Sequence, residues 1–225
     1  MSTHQLIQSE DGSHTIYLPE LNETYHSTHG ALQESRHVFI KYGLEEIAKN
    51  NKTITVFEVG FGTGLNALLT LQAAQQLGLT INYHTLEPYP LSEELVKGLN
   101  YPSFFEPELQ KLFYRMHSVA FEEMIELTTN FNFTKYKTTL QDFNTALKAD
   151  VVYFDAFAPN KQPEVWSYSN LQKVYSLLRL EGILVSYCAR GQFKRDLKAL
   201  GLQVEALPGP PGKKEMTRGR KLNTL

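Results

Sequence analysis

Val56-Phe57-Glu58-Val59-Gly60-Phe61-Gly62-Thr63-Gly64-Leu65-Asn66 decides how the rest of the chain is read. A β-rich run, Ile54 to Val59, carries an acidic residue near its end and meets three alternating glycines. An apolar helical stretch, Leu65 to Leu77, follows at once. Strand, tight turn and helix start in that order let backbone approach a bound ligand closely. A dinucleotide fingerprint places its glycines at relative positions 1, 3 and 6. Here they stand at 1, 3 and 5 (Gly60, Gly62, Gly64), and Leu65 fills the sixth place, which disfavours a nicotinamide-dependent reductase. One glycine would serve a plain strand–helix corner; three in alternation beside a carboxylate exceed that need.

Outward from this segment, strand-like and helical runs alternate. Ile54–Val59, Ile81–Leu86, Lys135–Gln141, Val151–Phe154 and Ile183–Cys188 read as strands. Leu65–Leu77, Ser92–Leu99, Pro107–Met116, Val119–Thr128, Leu171–Leu178 and Gln192–Leu200 read as helices. Alternation of this kind predicts a mainly parallel, doubly wound sheet with helices on both faces. Ligands of such sheets bind beyond the carboxyl ends of the strands, where Gly60–Gly64 falls. Asp11-Gly12 predicts a hairpin between Gln5–Ser9 and Ser13–Leu18, and Ala31–Ile47 reads as a helix. Residues 1–50 are therefore expected to cap a core of residues 51–225. Pro208-Gly209-Pro210-Pro211-Gly212 separates Gln203–Leu207 from Glu215–Thr217, which predicts an antiparallel hairpin at the sheet edge. With its E-x-G-x-G-x-G turn, the chain resembles the Rossmann-like class I methyltransferases that use S-adenosylmethionine (SAM), an α/β fold.

Composition narrows the partners. The chain has 225 residues, 42% of them hydrophobic, and a net charge of −2, so the whole surface is not a polyanion binder. From Arg190 onward nine Lys/Arg face three Asp/Glu, a net +6 on a body of −8, which marks a local phosphate-facing surface or an ordinary solvated face. Cys188 is the only cysteine and lies in an apolar run, as a buried small hydrophobe would. Without a disulfide, a signal-peptide core or a long apolar stretch, the chain is expected to be cytoplasmic, with no membrane contact.

The SAM resemblance implies a site. Gly60, Gly62 and Gly64 would admit the methionine part, with Glu58, Phe61, Thr63 and Asn66 in the same cofactor-binding turn. Glu87, at the end of the second core strand, would accept from both ribose hydroxyls. Asp142 would accept from the adenine amino group beside Phe143, or else cap a helix Phe143–Leu147. Asp155 ends the fourth strand, where methyl acceptors are commonly held.

Four segments together resemble a narrower family: Gly30–Phe39, Phe61–Asn66, Asp155-Ala156-Phe157-Ala158-Pro159 and Lys213-Lys214-Glu215-Met216. They are similar to the methyltransferase half of the bifunctional tRNA 5-methylaminomethyl-2-thiouridine biosynthesis protein. The resemblance runs from about Ser13 to Lys221 and implies SAM-dependent N-methylation of the 5-aminomethyl group of the wobble uridine, with the anticodon stem-loop as partner. In the bifunctional form an FAD-dependent oxidase follows; with this chain ending at Leu225, that activity is expected to be absent. Asp155 would hold the acceptor amine, with Phe157, Pro159, Lys213 and Lys214 also on the substrate. Tyr25, Phe157 and Trp166 are candidates to stack on a flipped base. Lys213, Lys214, Arg218, Arg220 and Lys221 are candidates for stem phosphates. His26, His29 and His37 lack zinc-ligand spacing, so no metal is expected, and a monomer is expected. Two other readings stay open: an N-methyltransferase for a free small amine, and a non-catalytic SAM- or RNA-binding protein.

Overall fold

The computed structural model describes residues 4–222. At its start β1 (Gln5–Gln8) and β2 (His14–Leu18) form the expected hairpin, and β3 (Glu23–Thr24) adds a third antiparallel strand. Asp11 closes the turn by accepting from Ser13 N at 3.0 Å and Ser9 Oγ at 2.9 Å. A continuous helix follows: α1 (Ala31–Ser35), a π-helical stretch (Arg36–Leu44) and α2 (Glu45–Ala48). The wide middle lies flat on the sheet because Gly43 has no side chain; a Cβ there would stand 3.0 Å from Val185 Cγ2.

Then come β4 (Thr53–Val59), α3 (Leu65–Leu77), β5 (Thr80–Leu86), α4 (Glu93–Gly98) and α5 (Pro107–Ser118). They lead into β6 (Met124–Thr128), β7 (Phe131–Tyr136), β8 (Ala149–Phe154), α6 (Tyr168–Leu177) and β9 (Leu178–Ser186). The described chain ends in α7 (Gly191–Ala199), β10 (Leu202–Pro208) and β11 (Glu215–Lys221). Eight strands make one sheet in the order β10-β11-β9-β8-β4-β5-β7-β6. Its middle five, β9-β8-β4-β5-β7, are parallel, and β6, β10 and β11 join antiparallel. The α/β fold with a mainly parallel sheet and a C-terminal antiparallel hairpin is thus as the sequence predicted.

Strand alternation sorts the core. Ile54, Val56, Val151, Tyr153, Ile183 and Val185 pack on one face, against Val38, Phe39 and the apolar side of α3. Phe57, Val152, Phe154 and Leu184 pack on the other, against Leu171 and Val174 of α6 and Phe193 and Leu197 of α7. Each such side chain, taken fully out of water, stabilises the fold by roughly 1.5–3 kcal/mol. From β4 the chain winds to β5 and β7 on one side, then returns to β8 and β9 on the other. That reversal opens a crevice beyond the carboxyl ends of β4 and β8.

Three expectations are corrected. Val119–Thr128 is not a helix: Glu122 takes a left-handed φ of +67° and its amide donates to Lys135 O, after which β6 pairs with β7. The strand expected at Lys135–Gln141 lies earlier, because pairing with β5 in the register Ile81↔Phe131 to Leu86↔Tyr136 ends it at the crevice. Phe143–Leu147 is irregular, so Asp142 caps no helix there.

Candidate active site

The turn after β4 is built close to the end of β8. Gly60 has φ +94°, and a Cβ on it would stand 2.6 Å from Asp155 O; Gly62 has φ +49°, and its Cβ would meet Tyr25 at 2.9 Å. Only glycine fits either place. Gly60 N and Phe61 N donate to Leu86 O, and Asp155 N donates to Val59 O, so the three strand ends are stitched together. Beyond them lies a cavity of about 730 Å³.

Glu87 forms one end of that cavity. It is buried, yet its two oxygens accept only from Gly62 N at 2.7 Å and Tyr89 N at 2.8 Å, leaving lone pairs toward the cavity. Burial pushes its carboxyl up, and the two amides pull the other way. Asp155 forms the floor. Its Oδ2 accepts from Asn66 Nδ2 at 2.8 Å, and its carboxyl is raised to about 7, first by burial and then by the Glu34 carboxylate. The same Asn66 amide donates to Glu58 Oε1 at 3.1 Å, and Thr85 Oγ1 donates to Glu58 Oε2 at 2.8 Å. Burial raises Glu58 to about 8.

The far wall comes from both ends of the chain. Glu34 of α1 accepts from Ser27 N at 2.8 Å and pairs with Lys213 from the β10–β11 loop. The Lys213 ammonium stands 4.0 Å from the centre of the Tyr187 ring, whose hydroxyl donates to Ala156 O at 2.7 Å. His26, held neutral by burial with a pKa lowered to about 4, shares a 2.7 Å hydrogen bond with Thr63 Oγ1. Tyr25 and Phe157 meet edge to face, 5.0 Å between centroids, on the cavity wall.

The model of a family described as S-adenosyl-L-methionine-dependent methyltransferase matches residues 103–222, just over half of the chain. The chain belongs to that family. Its relatives narrow the resemblance further. It is 31% identical over 228 residues to the tRNA 5-methylaminomethyl-2-thiouridine biosynthesis bifunctional protein MnmC of Cupriavidus metallidurans, covering 95% of this chain and 33% of that protein. The MnmC of Magnetococcus marinus is likewise 31% identical, over 94% of this chain and 33% of its own length. The chain thus spans about a third of the curated relatives it matches. Among solved structures, MnmC2 from Aquifex aeolicus superposes with a TM-score of 0.82 at 25% identity, over all of this chain and 72% of that one. The narrower resemblance read from the four sequence segments is thereby borne out.

For a methyltransferase of this family the cavity is of suitable size, since small-molecule sites run to roughly 300–1,000 Å³. Its donor set fits SAM as well: a glycine-only approach at Gly60 and Gly62, with the open oxygens of Glu87 beside it. Of the residues singled out in the sequence, Gly60, Phe61, Gly62, Thr63, Glu87, Asp142, Asp155, Phe157 and Lys213 line the cavity. Six lie off its wall. Glu58 falls on the α3 face by strand alternation, and Asn66, the second residue of α3, bridges it to Asp155. Gly64 starts α3 under His117, and Phe143 stacks on Phe57 at 5.5 Å. Pro159 is half-buried away from the lining, and Lys214 is exposed. Asp142 is exposed, accepting from Thr139 Oγ1 at 2.7 Å.

The other aromatic and basic candidates divide. Trp166 is core, packed on Phe154 and donating to Phe157 O. Arg218 pairs with Glu205 and Glu46, Arg220 with Glu46, and Lys221 donates to Tyr175 O and Leu178 O; these three are spent on internal contacts. Cys188 is buried, as expected. Among the described residues no helix is long and apolar enough to cross a membrane, and no group of three or more His, Cys, Asp or Glu is placed to hold a metal ion. Sequence reasoning missed Glu34 and Tyr187 as cavity residues. Glu34 sits within the Gly30–Phe39 segment that carried the resemblance, but nothing local distinguishes it from a solvated helix position.

Proposed function

We propose that this protein transfers a methyl group from SAM to the exocyclic amine of a 5-aminomethyl wobble uridine in tRNA. The observation that carries the reading is the Asp155 carboxylate on the cavity floor, directly beyond the glycine turn and beside the Tyr25–Phe157 pair. Likeness to the MnmC proteins over nearly the whole chain supports the choice of substrate class. When bound, SAM supplies an electrophilic methyl on a sulfonium. Gly60 and Gly62 would leave room for its methionine part, Glu87 would accept from the ribose hydroxyls, and Asp142 at the rim would take the adenine edge.

An amine with the basicity of lysine, near 10.4, must lose a proton before it can attack, which costs roughly 4–5 kcal/mol at pH 7. Asp155 is the group placed to take it. Raised to about 7 from 3.8, it closes the gap in proton affinity by roughly 4 kcal/mol compared with an ordinary carboxyl. The freed lone pair forms the nitrogen–carbon bond as the methyl–sulfur bond breaks, its electrons staying on sulfur. Asp155 gives its proton to solvent once the methylated product has left the cavity, and Asn66 keeps the carboxylate aimed throughout. Tyr25 and Phe157 offer faces for a base turned out of its stack.

A second reading, methylation of a free small amine, draws on the internal pairing of Arg218, Arg220 and Lys221, which leaves fewer cations for a nucleic acid. Methyl-labelled SAM, purified protein and tRNA carrying the unmethylated aminomethyl uridine test both. Label in the wobble nucleoside, with a rate that falls steeply as salt rises, supports the tRNA reading. Cofactor binding without transfer to tRNA, but with transfer to simple primary amines, would replace it with the second.

A further inference from the structure

We propose that Glu34 and Lys213 are positioning residues whose opposed charges set how readily Asp155 takes up the acceptor's proton; this rests on the amine-methylation reading above. The pair is fixed from both sides. Glu34 is held by the Ser27 amide, and Lys213 by the Tyr187 ring, whose hydroxyl grips the carbonyl next to Asp155. Neither charge can swing away without breaking a contact to the floor or the wall. The Glu34 side chain is 7% exposed and that of Lys213 33%. An ion pair buried this far often gains little stability over an apolar replacement. Its effect on the neighbouring carboxylate is what distinguishes it.

The two charges act on Asp155 in opposite senses. Glu34 makes the ionised form costlier, and Lys213 makes it cheaper. The other groups around Asp155 are the Asn66 amide, Glu58 behind that amide, the hydroxyls of Tyr187, Tyr83 and Tyr101, and neutral His26 on the wall. Glu58, raised to about 8, is largely protonated at neutral pH, so Glu34 and Lys213 carry the charges that remain. A proton acceptor whose affinity is set by two groups from opposite ends of the chain can be tuned without altering its own contacts.

The test follows the Asp155 carboxyl by carbon-13 NMR in the whole protein without substrate, beside the acid limb of kcat/KM. Glu34→Gln should lower the midpoint and Lys213→Met raise it, each by roughly one pH unit. The double variant should return near the starting value, and Lys213→Arg should leave it in place. The acid limb should move the same way. A midpoint that stays fixed in both single variants, or moves in one direction in both, overturns the proposal. Should Glu34→Gln fail to fold, the Met and Arg variants of Lys213 decide alone. Midpoints that move as stated, with no methylation of tRNA by any of the proteins including the unaltered one, would overturn the tRNA reading and leave standing only the effect of the two charges on the Asp155 carboxyl.

Discussion

Two carboxylates, Glu58 in the core and Asp155 on the cavity floor, share one amide: Asn66 Nδ2 serves both, while Asn66 Oδ1 has no partner. Removing the amide leaves both acids without their common donor. Asn66→Ala should therefore destabilise the fold by about 1–3 kcal/mol, read as the urea midpoint; an unchanged midpoint would show that the bridge is dispensable. Asp155→Asn keeps the shape but cannot accept a proton. Methyl transfer should fall by roughly 10²–10⁴-fold with SAM affinity, measured by calorimetry, little altered. A drop of less than tenfold would remove Asp155 from the proton's path. Asp155 and Glu87 were legible in the sequence because they end predicted strands, where α/β sheets place their ligands. Glu34 and Tyr187 were not, because only the packed tertiary structure brings them to the same wall. Glu58 and Asn66 were visible in the motif but misplaced: a period of two sends Glu58 to the α3 face, away from the cavity.

The β10–β11 loop is an element with almost no slack. A Cβ on Gly209 would stand within 3 Å of Glu215 N and of the carbonyl carbon of Lys213. Pro208 O accepts from His37 Nε2 at 2.8 Å, which ties the loop to the π-helical stretch. Gly209→Ala should push Lys213 off the Tyr187 ring, cutting methyl transfer while far-ultraviolet circular dichroism stays the same; full activity would show that the loop tolerates the displacement. The hairpin itself was readable from its proline–glycine break. The parallel strands were readable too, since burial on both faces leaves continuous apolar runs. The region 119–141 was misread for a physical reason. Glu122 in a left-handed conformation and the strand partners of β7 decide it, and neither leaves a periodic trace.

Across the whole molecule, buried ionisable groups predict an unusual stability profile. His26 and His117, both lowered from 6.5 to about 4, lose stability as pH falls between those values. Glu58, raised from 4.5 to about 8, and Asp155, raised from 3.8 to about 7, lose it as pH rises through theirs. Between pH 4.5 and 6.5 the two trends oppose one another, and above 6.5 only the loss from the carboxyls remains. Lys135, lowered from 10.5 to about 8, recovers stability as pH climbs past 8. The melting temperature should therefore dip near pH 8, and a steady rise from 6.5 to 9 would contradict the assignment. Lys135→Met should abolish the recovery.

One feature of the sheet bears on how the protein is made. β11 lies between β9 and β10, though it is the last strand in the described chain, and Lys213 precedes it by two residues. During synthesis β9 stays a bare parallel edge, and the cavity lacks a wall, until residues 213–221 leave the ribosome. A nascent chain paused before them carries the glycine turn and Asp155 but not Lys213, with an unpaired strand open to other chains. Truncations that remove β11 should accordingly be found in aggregates.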